Sequence, residues 1–254
     1  MIALPACACW TQADAHAGTT SGWQAASWPN QPPGYTVITD YGFGDSIPAG
    51  NGRPVGSSGW QINNGYAVLA QDPKAPFSPP NVLRLSYPIG LTGGVAPATV
   101  YFHWAGSSDV YYGFWWRPSN PWQGHSSGVN KIVEFFDNNT RFGSYFYKMV
   151  GSGPPFHTQV TFETDRPTIN FAENEDRSPV RLGAWHLCEF LLTRSDSTVR
   201  WWLDGRLKGR YRHVHYGGTK FTEAQVYPGW GGTGDRKREQ DYYWFDHIHV
   251  AARP

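Results

Sequence analysis

Residues 183–216, GAWHLCEFLLTRSDSTVRWWLDGRLKGRYRHVHY, constrain the fold of this chain more than any other stretch. Two apolar runs, 185–193 and 198–203, flank the polar cluster Arg194-Ser195-Asp196-Ser197. A third run, 207–215, follows Asp204-Gly205. Asp-Gly between two strand-like runs signals a hairpin, because a tight primed turn needs positive φ and glycine supplies it without steric cost. The stretch reads as three antiparallel strands in a meander.

The rest of the chain repeats this grammar. Strand-like runs occur at 35–43, 60–69, 82–87, 99–104, 109–117, 129–136, 145–150, 158–162, 180–182, 224–227 and 242–250, with turn residues in nearly every gap. The 60–69 run reads as a hairpin turning at Asn63-Asn64-Gly65, and 44–58 as a Gly/Pro-rich loop. No window carries a helical period. A content of 29 Gly and 20 Pro, with 13 Trp, 14 Tyr and 14 Phe, suits many short strands and disfavours helices. At 254 residues the chain is long enough for one large sandwich that buries roughly 70% or more of its unfolded surface. About a dozen strands and no helix of weight predict an all-β fold, two curved antiparallel sheets packed face to face.

Charge excludes some functions. Charged residues make up 16% and the net charge is +1, so nothing steers the chain to nucleic acid or an anionic membrane. No run approaches the roughly 18 apolar residues of a membrane span. Cys7, Cys9 and Cys188 make no disulfide framework, and Cys188 reads as a buried small side chain. Residues 1–33 are rich in Ala, Ser, Thr, Gln and Pro and read as leader and linker, with the folded domain spanning 34–254. Within that leader, Leu4-Pro5-Ala6-Cys7 resembles the lipobox of bacterial lipoproteins. That resemblance implies a lipid anchor at Cys7 and an extracytoplasmic place; an unstructured tail is the other reading.

Two motifs carry a resemblance to a fold superfamily. Gly183-Ala184-Trp185-His186, a strand, a turn and Leu203-Asp204-Gly205 resemble a strand pair shared by concanavalin A-like jelly rolls. The closing run Tyr242-Tyr243-Trp244-Phe245-Asp246-His247-Ile248-His249-Val250 resembles their last strand. The superfamily holds lectins, glucanases and several polysaccharide lyases. The resemblance therefore implies a jelly-roll sandwich of about residues 35–251 that handles glycans.

Strand parity then selects candidate residues. In residues 156–163, Thr158, Val160 and Phe162 share the core face, and His157, Gln159, Thr161 and Glu163 share the other. His157 and Gln159 resemble, in reverse order, the Gln-x-His pair of jelly-roll alginate lyases. Tyr145-x-Tyr147 resembles a pair in another jelly-roll lyase family that works with Lys, for which Lys131 is the candidate. The strand motif Tyr-Phe-Lys-x-Gly of the alginate lyases is absent, and Val226-Tyr227-Pro228-Gly229-Trp230-Gly231-Gly232 stands instead. These resemblances imply β-elimination on a uronate-containing polysaccharide or oligosaccharide. His157, Tyr147 and Lys131 are the proton-transfer candidates, and Gln159 and Arg117 the carboxylate partners. Tyr145, Trp122, His125, Trp115 and Glu163 complete the expected substrate groove.

Two other functions stand beside the lyase. A non-catalytic lectin-like module needs the aromatics and no acid or base. A glycoside hydrolase needs two carboxylates across the sugar, and Glu134 and Asp137 are the nearest pair, although three apart on a regular strand they face opposite ways. No Cys/His cluster has zinc spacing. The resemblance implies a structural calcium near the first and last strands, with Asp40, Asp45 and Asp246 as oxygen donors. No organic cofactor is implied, and the chain is expected to act as a monomer.

Overall fold

A computed structural model describes residues 28–139, 143–164 and 167–253. Its strands are β1 (Thr36–Tyr41), β2 (Gly50–Pro54), β3 (Gln61–Asn64), β4 (Ala67–Gln71), β5 (Asn81–Tyr87), β6 (Ala98–Ser107), β7 (Asp109–Pro118) and β8 (Val129–Asp137). They continue as β9 (Ser144–Val150), β10 (His157–Glu163), β11 (Ile169–Ala172), β12 (His186–Thr193), β13 (Thr198–Leu203), β14 (Arg206–Arg212), β15 (Phe221–Val226) and β16 (Asp241–Arg253). Two eight-stranded antiparallel sheets result. One runs β14-β13-β12-β7-β16-β5-β4, with β1 also on β16; the other runs β11-β10-β9-β8-β15-β6-β3-β2. This is the two-sheet jelly-roll sandwich that the sequence predicts. Among the described residues no helix is long and apolar enough to cross a membrane.

The meander forms as read. Asp204 (φ 52°) and Gly205 (φ 75°) both take the positive φ of a primed turn, which joins β13 to β14. The Trp201–Trp202 pair splits by parity. Trp201 lies in the core between the sheets, and Trp202 is buried on the outer face of the first sheet with Tyr35, Tyr111 and Leu191. The inter-sheet core is heavily aromatic: Trp60, Trp116, Trp201, Trp230, Phe114 and Phe135 are each fully buried. Some of its polar handles are paired, while Trp116 Nε1 and the Tyr112 and Tyr243 hydroxyls have no hydrogen-bond partner among the described residues. Trp60 Nε1 donates to Thr39 Oγ1 at 2.9 Å, and Tyr87 OH to the Pro228 carbonyl at 2.9 Å.

Four local readings change. Residues 60–69 are not a hairpin: β3 pairs with β2 and β6 in the second sheet, and β4 with β5 in the first. Asn64 makes this a crossing between sheets, because its amide bonds the Pro48 and Ala67 carbonyls and the Ala67 N–H. The Gly/Pro-rich loop contains the short edge strand β2, where Pro54 is tolerated. Residues 180–182 contribute only a bridge between Val180 and Phe156, while the polar edge strand β11 lacks an apolar alternation that a sequence reading could find.

The fourth concerns the leader. Cys7 lies outside the described residues, but the segment from Trp28 is docked on the first sheet. The Trp28 ring stacks on His249 at 4.9 Å and on Phe77 at 5.2 Å, and Asn30 bonds both Glu189 carboxyl oxygens at 2.9 and 2.6 Å. Gly113 makes room for it, since a Cβ there would lie 2.3 Å from the Trp28 ring. Trp28→Ala is expected to lower unfolding stability by about 2 kcal/mol, the scale of one large apolar side chain returned to water. Urea unfolding of the two proteins reads it.

Candidate functional site

The outer face of the second sheet carries a groove whose residues come from cross-strand register. One row is Tyr101, Gln225, Glu134, Phe146 and Thr161. Lys131, Lys148 and Gln159 form the row on one side, and His103, Glu223, Phe136, Ser144 and Glu163 the row on the other. A depression of about 520 Å³ is lined by Lys131, Glu134, Glu163, Gln225 and Tyr227, with Asn63, Thr99 and Ser144 among its other polar walls.

Lys131 and Glu134 both face this groove because β8 is bulged. Lys131 pairs with Lys148 and Val133 with Tyr147, so one residue is extra between them. A bulge resets the alternation. Without it, residues three apart would face opposite sides, as Glu134 and Asp137 in fact do. The Tyr227-Pro228-Gly229 turn then folds over the same point, with Lys131 N–H donating to the Gly229 carbonyl at 2.9 Å.

Lys131 Nζ is the hub. It lies 3.9 Å from Glu134 Oε1, 3.7 Å from Glu163 Oε2, 3.9 Å from the Phe146 ring centroid and 5.2 Å from that of Tyr227. Glu134 is 2% exposed. Its Oε1 accepts from Ser144 Oγ, while Oε2 is buried with no hydrogen-bond partner among the described residues. Burial raises the Glu134 carboxyl to about 7; Lys131 opposes the rise and the charges of Glu163 and Glu223 add to it. The Tyr227 phenol is raised by burial and by Glu134 and Glu163, so it keeps its proton at neutral pH. Burial lowers Lys148 to about 8, with Glu163 opposing and Lys131 assisting; its Nζ donates to Asn170 Oδ1 at 3.0 Å.

The structure brings together three of the residues singled out from sequence here, Lys131 and Glu163 from the lyase reading and Glu134 from the hydrolase pair. His157 and Gln159 do share the outer face, but in a neighbouring depression of about 320 Å³ with Glu173 and Arg177. One strand, β9, stands between Gln159 and Lys131, two inter-strand spacings or about 10 Å. His157 Nδ1 lies 2.9 Å from Glu173 Oε2, and Glu173 also accepts from Thr158 and pairs with the buried Lys208.

The remaining expectations are corrected by placement. Tyr145 and Tyr147 point between the sheets, both fully buried, because their strand puts Phe146 and Lys148 outward. Arg117 and Trp115 belong to β7 of the other sheet. Arg117 pairs with Asp72 at 2.8 Å and stacks between Trp185 and Trp244, while Trp115 stands across from Leu187. Trp122 is a core ring stacked on Tyr243 at 4.2 Å, and the His125 ring is buried against Trp230 with Nδ1 on Ser127. Glu134, Tyr227 and Gln225 were missed as lyase residues. Their signal is the Pro228-Gly229 turn after β15 and the β8 bulge, of which only the turn has a sequence pattern of its own.

The three expected calcium donors are each taken by protein groups. Asp40 Oδ1 lies 2.7 Å from His247 Nε2 and 3.0 Å from His249 Nδ1, and these bonds outweigh the burial that would raise it, leaving the carboxyl well below its usual range. Asp246 accepts from the Phe77 and Ser78 amides, and Asp45 from Tyr41 OH at 3.4 Å. No group of three His, Cys, Asp or Glu that could hold a metal ion occurs among the described residues.

No protein-family model matches the chain, and no curated protein matches it in sequence. Solved structures do share the fold. An endo-β-1,4-glucuronan lyase from the fungus Trichoderma reesei superposes with TM-score 0.57 at 15% identity, over 85% of this chain and 96% of that one. A cellulose-induced protein superposes with TM-score 0.53 at 18% identity, over 77% and 91%. An alginate lyase solved with an alginate trisaccharide gives 0.52 at 11% identity, over 66% and 80%. The likeness is one of fold: a sandwich of two antiparallel sheets.

Proposed function

We propose that this protein is a carbohydrate-active enzyme whose groove takes a uronate-containing polysaccharide and cleaves it by β-elimination. The observation that carries this reading is Lys131 on the groove floor, beside a carboxyl poised near neutrality and under a phenol that holds its proton. Two solved structures that share the fold are named as lyases of uronate polymers, which favours the same class of reaction.

The roles follow from the charges. Ionised Glu134 takes the proton α to the substrate carboxyl, the electron pair forms the new double bond, and the bond to the glycosidic oxygen breaks. The Tyr227 O–H protonates that oxygen as it leaves. Lys131, with the amides of Gln225 and Asn63, offsets the charge gathering on the substrate carboxylate. Glycan polymers of this kind place the enzyme's work outside the cytoplasm.

A second reading, hydrolysis, has its own observation. Since one Nζ touches both carboxyls at 3.9 and 3.7 Å, the two oxygens of Glu134 and Glu163 lie no more than about 7.6 Å apart. That range includes the carboxyl spacings of retaining glycosidases and the shorter ones of inverting glycosidases.

The pH profile separates the two. A base must be ionised to act, so elimination by Glu134 is expected to rise about tenfold per pH unit below 7 and to level above it. An acid must be protonated, so hydrolysis using Glu134 as its acid falls above 7. Initial rates followed by the ultraviolet absorbance of the unsaturated product and by reducing ends decide between them. Binding of the polymer with no product by either readout leaves a lectin-like module.

A further inference from the structure

We infer that the groove selects chains whose uronates are isolated between neutral sugars and discriminates against homopolyuronates, with Glu163 as the chief specificity-determining residue. The inference rests on the elimination reading above. Of the described residues that line the depression, Lys131 alone is cationic, and two carboxyls, Glu134 and Glu163, lie within 4 Å of its Nζ. The groove therefore offers one cationic position for one substrate carboxylate, and that position is already shared.

The flanks are neutral or acidic. Lys148, the next cation in the row, is 4% exposed and donates to Asn170 rather than to the open groove. On the opposite side, Glu223 and Glu163 stand in the same cross-strand row, separated by Phe136 and Ser144. The Glu163 side chain is 44% exposed, so its charge meets whatever lies beside Lys131. Glu223 lies 3.5 Å from His103 and accepts from Gln225, which fixes its carboxylate on that flank. The other polar walls, Asn63, Thr99, Ser144 and Gln225, are hydroxyls and amides, suited to sugar hydroxyls.

A homopolyuronate carries a carboxylate on every residue. When one sits at Lys131, its neighbours face Glu163 or Glu223, and like charges juxtaposed across an interface suppress binding. A chain with neutral sugars on either side of a single uronate meets that opposition only at Lys131 itself, where the cation offsets it. The cost falls on binding, so it appears in KM, and salt screens it.

The test compares initial elimination rates of the full chain on polyglucuronate and polymannuronate with those on hyaluronan and gellan, in which glucuronate is set between neutral sugars. The expected result is a kcat/KM at least tenfold higher on the second pair, carried by KM, with the gap narrowing as salt is raised. Glu163→Gln is expected to narrow the difference in KM between the two classes at least fivefold, chiefly by lowering KM for the homopolymers. Equal or better use of homopolymers by the unaltered protein overturns the inference and leaves elimination standing. So does a Glu163→Gln variant that loses activity on both classes, since Glu163 then belongs to the chemistry. No unsaturated product from any of the four removes the elimination reading itself, and this inference with it.

Discussion

Glu134→Gln is expected to lower kcat/KM on a uronate polymer by about 10²–10⁴-fold, the usual worth of a positioned general base, while the protein stays folded. The amide has the shape of the carboxyl and keeps an acceptor for Ser144 Oγ. Glu134 Oε2 has no partner to lose among the described residues. Because burial already holds the carboxyl near neutrality, replacing it with an uncharged group removes a desolvation cost that offsets the loss of its 3.9 Å pairing with Lys131. Rate and thermal midpoint must therefore separate: activity gone, midpoint unchanged or raised. Retained elimination activity in this variant sinks the role given to Glu134, and with it the mechanism.

The opposite separation is expected three residues on. Asp137→Ala should cost about 3–5 kcal/mol of stability, the scale of breaking a buried charge pair by removing one partner. The Asp137 side chain is fully buried, and Arg194, 9% exposed, pairs with it at 3.0 Å. Tyr145 OH and the Gly218 N–H also donate to Oδ2, at 2.5 and 2.6 Å, and the Asn139 N–H to Oδ1 at 2.9 Å. Truncation strands a buried guanidinium and leaves donors without their acceptor. Denaturant unfolding measures the loss, and a change below 1 kcal/mol would show that the network relaxes onto water. Glu134 and Asp137 were the pair weighed from sequence as hydrolase carboxylates. Parity on β8 sends one to the groove and the other into the interior, and the two substitutions are expected to diverge accordingly.

The sheet framework was legible because its signals are local. Alternation in 158–162, the Asp204-Gly205 turn and the aromatic closing strand each state which face is buried, and burial of those faces leaves few folds open. Glu163 was legible for the same reason, as a polar residue on a strand whose other face is apolar; Lys131 was found by resemblance, since alternation alone sets it on the face of Val133 and Phe135. Tyr145 and Tyr147 show the limit. A tyrosine has an apolar body and a polar tip, so alternation alone does not say whether a Tyr-x-Tyr pair lines a groove or a core. Their neighbours Phe146 and Lys148 were a mixed signal, and the interior took the tyrosines. Arg117, Trp115, Trp122 and His125 failed differently. Each was read from residue type, without knowledge of which sheet β7 and the following loop would join.

By itself the sequence determined that this chain is a two-sheet antiparallel sandwich, where most strands run, and that Trp201 and Trp202 face opposite ways. Those facts depend on period-two patterning and on turn chemistry within a few residues. Only the tertiary structure decided the site. An extra residue in β8 turned Lys131 onto the face of Glu134, cross-strand register set Glu163 within 3.7 Å of it, and the turn after β15 laid Tyr227 over both. Each of these is a relation between strands distant in sequence, fixed by pairing and packing, and so without a trace in any one segment.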